Sequence, residues 1–353
     1  MKNTVQTEIL REEDFSDWTK FVCESSSGSI YSTPEYLDIL CGATGGSFRI
    51  LAAVKGEQIM GGIALYETPS RAGTYVSNRL LLYYNGIVLR DVKTKHPYKT
   101  TSRNLEVMSS LLRYLANSTY SRIILHNRSP IHDVRPFQSD GWIAWPSYTY
   151  VVGIDDIELL RSRMEQNLRR LVRRCEDADV VLTEDDDFDS FFELHQQTHN
   201  RKNAPLYLPY ERYKEYFIRL RSAGLCRLYH ARLGGKSIAA QLVLANEHPV
   251  THTVCAGADP GFLKLGSTPF LRWKVFENLS QIGYIANDLT DAAIGDVTRF
   301  KAQLGGDLIM NTVLKRTDSI AFRSVGQLTY LKARAKGAFR RLVGLFGQGG
   351  AVG

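Results

Sequence analysis

The feature that most constrains this chain is an order of elements that occurs twice. Lys55-Gly56-Glu57-Gln58-Ile59 leads into an apolar run at 60–65, and Gly234-Gly235-Lys236-Ser237-Ile238 leads into another at 239–244. Gly56 and Gly235 stand 179 residues apart in a chain of 353. A glycine-containing tight turn between two apolar runs reads as a β-hairpin. Two helical stretches precede each hairpin, at 14–23 and 34–41, then at 188–202 and 210–222. Thr33 suits an N-cap, with Pro34 at the first helical position. A strand, a helix and an apolar strand follow each hairpin. The helices fall at 103–117 and 269–282, and the strands after them at 122–125 and 284–289. Strand-like runs at 142–152 and 308–314 close the halves. The order predicts a duplicated mixed α/β fold.

Between the halves, Ile157, Leu160, Met164, Leu168, Leu171 and Cys175 fall at helical spacing and predict one helix over 157–175. Arg163, Arg169, Arg170, Arg173 and Arg174 lie mostly off that stripe. They read either as a solvated face or as a ridge that contacts phosphates.

Charge is concentrated at one end. Lys and Arg number 44 and Asp and Glu 37, a net of +7. The segment from Lys315 onward holds eight basic residues and one acidic, also +7, so the rest is formally neutral. The basic balance therefore describes a tail and does not mark the whole chain as nucleic-acid binding. Over 325–346 apolar residues alternate with basic ones. That suits an interfacial helix on an anionic membrane, or a helix docked on the protein itself.

Hydrophobic content of 44% and charged content of 23% exclude a disordered or collagen-like chain. The N-terminal residues show no apolar secretory core. Cys23, Cys41, Cys175, Cys226 and Cys255 lack zinc-site spacing and read as small buried hydrophobes. These features predict a reduced, cytoplasmic protein with no structural metal.

The second half carries an ordered series of motifs. Leu194-His-Gln-Gln-Thr198-His-Asn-Arg201 ends a helix, and Ile238-Ala239-Ala240 lies in the hairpin. Cys255-Ala-Gly257-Ala-Asp259-Pro260 ends a strand, and Gly266-Ser267-Thr268-Pro269 opens a helix. Gly283-Tyr284, Asn287-Asp288-Leu289, Thr298-Arg299-Phe300-Lys301 and Leu304-Gly305-Gly306 follow. In the first half, Ser29-Ile-Tyr31-Ser-Thr-Pro34-Glu-Tyr36 suits the early helix entry. Over about residues 12–314 the series resembles the Fem-type (FemAB-like) branch of the GNAT acyltransferase superfamily. It also resembles the acetyltransferase-type relatives found with polysaccharide biosynthesis.

The resemblance implies two tandem GNAT-like domains with a cleft between them. They would span 1–152 on the acceptor side and 153–314 on the donor side, with a basic amphipathic tail at 315–353. It implies an acyltransferase without a bound cofactor. Its donor would be aminoacyl-tRNA or acyl-CoA, and its acceptor an amine of a peptidoglycan or polysaccharide precursor. Such an enzyme would work in the cytoplasm or at the inner membrane face. A GNAT fold kept as a non-catalytic binding module is the alternative.

Residue by residue, the resemblance makes Lys301 the partner of an oxyanion or phosphate, with Phe300 beside the donor. Arg201 becomes a substrate-contacting arginine, and Tyr84 and Asp91 lie at the acceptor strand end. Asp288, at the end of an apolar strand, could take a proton or orient the amine. His252 stands where the family often has an aromatic residue, and could replace that substrate contact or act as a base; Ile87 stands where the family has proline. Gly266, Ser267 and Thr268 form a reduced version of the pyrophosphate loop of acyl-CoA enzymes.

Overall fold

The computed structural model describes residues 4–292 and 295–317. The basic stretch expected over 325–346 lies outside them. The first half runs β1 (Gln6–Ile9), α1 (Phe15–Glu24), α2 (Pro34–Thr44), β2 (Ser47–Lys55), β3 (Gln58–Thr68), β4 (Tyr75–Val76), β5 (Ile87–Leu89), α3 (Pro97–Ala116), β6 (Arg122–Asn127), α4 (Arg135–Ser139) and β7 (Ile143–Gly153). The second runs α5 (Ile157–Arg163), α6 (Gln166–Asp177), β8 (Val181–Glu184), α7 (Phe188–Lys202), α8 (Tyr210–Ser222), β9 (Cys226–Leu233), β10 (Lys236–Leu244), β11 (Val250–Ala258), α9 (Ser267–Gln281), β12 (Ala286–Asp288), α10 (Asp296–Gln303) and β13 (Asp307–Thr317).

All strands join one mixed sheet in the order β1-β2-β3-β4-β6-β13-β7-β12-β11-β10-β9-β8, with β5 also on β3. Both expected hairpins form. The β2–β3 turn has Gly56 at φ +65°, and the β9–β10 turn has Gly234 and Gly235 at +54° and +82°. Two positive-φ residues in a two-residue loop match the right-handed twist of the flanking strands, which is why glycines stand there. The halves exchange their closing strands. β7 follows β6 in sequence but pairs with β12 and β13, while β13 ends the second half but pairs with β6.

The helices sort onto the two faces by their apolar stripes. On one face α1, α2, α7 and α8 build a single core shared by the halves, including Trp18, Tyr36, Phe191 and Tyr216. There Tyr36 Oη and Tyr216 Oη meet at 2.9 Å, 180 residues apart, close to the offset of the two hairpins. Arg219 of α8 reaches Asp38 of α2 at 2.7 Å. On the other face each half has its own core, under α3 and α4 in the first and under α6 and α9 in the second. The architecture is thus two α/β units in tandem that share one sheet, as the duplicated order predicts.

Several local expectations change. The helix predicted over 157–175 breaks into α5 and α6, because Met164 and Glu165 are extended (ψ 136° and 138°). The Glu165 side chain then caps α6 by accepting from Leu168 N at 3.1 Å. The stripe still buries Leu160, Met164, Leu168 and Cys175. Thr33 does hold the N-cap position of α2, but its hydroxyl donates back to Ile30 O and caps nothing. Helix α3 begins at Pro97, a residue type whose fixed φ and missing N–H suit the first turn. All five cysteines are free, yet only Cys175, Cys226 and Cys255 are fully buried; Cys23 and Cys41 are half-exposed. Among the described residues no helix is long and apolar enough to cross a membrane.

Candidate active site

Strands β11 and β12 run parallel for only three residue pairs, ending at His252↔Asp288. β11 continues to Ala258, while the chain beyond Asp288 turns away. Val254–Gly257 therefore keep β10 on one side and no strand on the other. A cavity of about 450 Å³ fills the gap, walled by this edge, the end of α7, the start of α9 and helix α10. A free strand edge offers main-chain donors and acceptors to an extended substrate.

Two glycine motifs hold these walls together. A Cβ on Gly257 would lie 2.4 Å from Leu194 C and 2.5 Å from His195 N, so only glycine lets α7 press its backbone onto β11. A Cβ on Gly306 would meet Val151 O at 2.9 Å, and Gly305 has φ +90°. The Gly305-Gly306 pair is thus the tight link that returns the chain from α10 into β13.

Of the residues singled out from sequence, Arg201, Thr268, Phe300 and Lys301 line this one cavity. Lys301 Nζ donates to Thr290 O and, at 2.6 Å, to Asp291 O. Thr290 and Asp291 both take left-handed conformations, φ +49° and +52°, which turn their carbonyls toward the lysine. For a β-branched threonine that conformation is strained. Burial, reinforced by the charge of Arg272, pushes the Lys301 ammonium down to about 8. Two of its three N–H groups go to carbonyls, and one remains for the cavity.

Asp288 sits behind the cavity, buried among donors. Its carboxylate accepts from Tyr84 Oη at 2.7 Å, Thr149 Oγ1 at 2.5 Å and Thr290 N at 2.8 Å. Tyr84 is therefore drawn into the site from the first half, as the partner of Asp288. His252 is fully buried, its ring 4.9 Å from that of Tyr31, with Nδ1 3.7 Å from Asp288 Oδ2. Burial drives its pKa well below the usual imidazole range, so the ring is neutral. Asp91 lies elsewhere, accepting from Ser26 N and Oγ at 2.7 and 2.9 Å on the exposed surface. Gly266 and Ser267 are buried under α6, where a Cβ on Gly266 would touch Leu171 Cβ at 2.7 Å.

The structure also gathers residues that the sequence did not single out as site residues. Tyr83, Tyr207, His195 and His199 give the cavity an aromatic wall, and Cys255 and Arg272 line it as well. Burial pushes the Cys255 thiol up to about 12 and His195 down to about 3. The one available signal for Arg272 was an arginine within the apolar run Phe270-Leu271-Arg272-Trp273 of a buried helix.

Arg163, Arg170 and Arg174 on α5 and α6 bond Asp307, Asn167 and Lys264 O respectively, and Arg173 is exposed. Asp185, Asp187 and His230 cluster near the β8–β9 edge, but Arg232 already bonds both carboxylates there at 3.1 and 2.8 Å.

Residues 162–301 match the acetyltransferase (GNAT) domain family, a span that contains α6 through Lys301. The match shows an acetyltransferase (GNAT) domain in the second half, and the fold of the chain is shared with the following solved structures. The crystal structure of FemX superposes with a TM-score of 0.68 at 12% identity, covering 87% of this chain and 96% of that one. The C-terminal domain of a putative lysylphosphatidylglycerol synthetase from Agrobacterium fabrum gives a TM-score of 0.58 at 13% identity, covering 90% and 96%. The L-PGS structure from Bacillus licheniformis gives 0.54 at 12% identity, covering 83% and 95%. No curated protein matches the chain by sequence.

Proposed function

We propose that this protein transfers an aminoacyl group from aminoacyl-tRNA to an amine of a cell-envelope precursor. The observation that carries the reading is the cavity where β11 and β12 part, with Lys301 clamped at its wall beside Phe300 and Arg201. The similarity to FemX and to lysylphosphatidylglycerol synthetase supports an envelope acceptor. Gly266 is buried against Leu171 and Ser267 is buried too, so of the reduced loop only Thr268 faces the cavity, which favours tRNA over acyl-CoA.

In this reading a neutral amine attacks the ester carbonyl and charge builds on its oxygen. The remaining N–H of Lys301 faces that charge in a partly desolvated site, where a fixed donor is worth far more than in water. Arg201, exposed at the mouth, grips a phosphate or carboxylate of the substrate. Asp288, held by three donors and off the cavity wall, fixes the Thr290–Asp291 turn that carries the Lys301 clamp; it positions rather than takes a proton. The amine loses its proton to the departing ribose oxygen.

The test is to titrate purified protein with charged tRNA and, separately, acetyl-CoA at two salt concentrations, with Lys301→Ala alongside. Charged-tRNA binding that weakens steeply with salt, together with transfer abolished in the variant, is expected. Saturable acetyl-CoA binding without tRNA binding would replace the donor. Binding of neither would overturn the reading.

A further inference from the structure

The cavity carries four cationic side chains, Arg201, Lys202, Arg272 and Lys301, against one carboxylate, Asp291. They sit at different depths. Arg201, Lys202 and Asp291 are exposed at the mouth, whereas Arg272 Nη1 is buried and has no hydrogen-bond partner. Cys255 and Thr198, both buried, line the same cavity. None of the four cations forms an ion pair among the described residues.

Arg272 as a whole is partly exposed, but a guanidinium nitrogen buried without an acceptor is costly, because that N–H has given up water and gained no partner. Its neighbours raise that cost. Arg272 and Lys202 both push the Lys301 ammonium down, and burial lowers Arg272 itself to about 10. Proteins keep such groups where a ligand supplies the missing charge. The planar fork of arginine fits a two-oxygen anion.

We propose that Arg272 holds an anionic oxygen group of the substrate, a carboxylate or a phosphate, at the inner end of this cavity. The inference rests on the cavity being the substrate site, and it adds a required negative charge. A substrate of this enzyme then carries an anion within one cavity length of the reacting carbonyl. Neutral analogues of the same shape are rejected because they leave the guanidinium unpaired.

The experiment measures binding, so it does not depend on which acyl group is transferred. Inorganic phosphate and succinate are titrated by calorimetry into the wild-type chain, Arg272→Gln, Arg272→Lys and Arg173→Ser at constant ionic strength. One probe should saturate the wild type and lose at least tenfold affinity in Arg272→Gln. Arg173→Ser, on the exposed face of α6, should bind as the wild type does. Preference for phosphate or for succinate tells which anion the site takes. If Arg272→Gln does not fold, a loss of at least threefold in Arg272→Lys replaces it, since a lysine keeps the charge without the fork. No saturable binding by the wild type, equal binding in the folded Arg272 variants, or an equal loss in Arg173→Ser would overturn the proposal. A failure of acyl transfer with every donor would strike the proposed function and leave this binding result standing.

Discussion

Tyr84 Oη and Asp288 Oδ2 meet at 2.7 Å although 204 residues separate them. The contact joins the halves beneath the cavity. Through Thr290 N it also reaches the turn whose carbonyls hold Lys301.

Tyr84→Phe removes one of three donors to a buried carboxylate. Leaving such a group under-satisfied costs about 1–3 kcal/mol. Denaturant unfolding should show that loss, and acyl transfer should fall with it as the turn loosens. A variant as stable and as active as the wild type would show that Tyr84 does not hold the turn.

Lys301 sets a pH limb. Its ammonium titrates near 8, below the ordinary 10.5. A role as charge stabiliser requires the protonated form, so the transfer rate should fall as pH rises through about 8. Stability runs the other way. A depressed folded pKa contributes stability that is full above about 10.5 and lost as pH falls through about 8. Wild type should therefore gain stability relative to Lys301→Met across that window in pH-dependent melts.

Gly257→Ala places a methyl group 2.4 Å from the Leu194 backbone. Neither strand nor helix backbone yields easily, and overpacking of this kind costs roughly 1–3 kcal/mol. The displaced α7 carries Arg201, so substrate affinity should drop as well. Gly153→Ala, whose nearest neighbour would be Asp155 Oδ1 at 3.6 Å, is the control that should melt near the wild-type temperature.

Glu165→Ala removes the side chain that caps α6 through Leu168 N. The loss should be about 0.5–2 kcal/mol, measured by thermal unfolding. Glu165→Asp, which keeps the carboxylate, should recover most of it.

Much of the architecture was legible because it rests on local rules. Glycines at the two hairpin turns, proline at the start of α2 and the apolar stripes of α7 and α8 each act within a few residues. The break at Met164-Glu165 was not legible, since an unbroken helical stripe and one bent into two helices bury the same side chains. Lys301, Phe300 and Arg201 were found by their motif, and the structure brings them to one cavity. Arg272 was missed because a single arginine in an apolar helix carries no local sign of what it faces. The roles of Asp288 and Tyr84 depend on a pairing across more than half the chain, which no spacing in the sequence reveals.

The exchange of β7 and β13 between the halves has a consequence for biosynthesis. The ribosome delivers β6 long before β13, so the inner edge of the first sheet segment stays open while nearly 180 further residues are made. Neither half can be cut out and expressed alone without losing the strand that the other lends it. Such late, long-range closure is slow, and it exposes a bare edge to neighbouring nascent chains. A stop codon between residues 154 and 307 would thus damage the first half, whose own sequence it leaves intact.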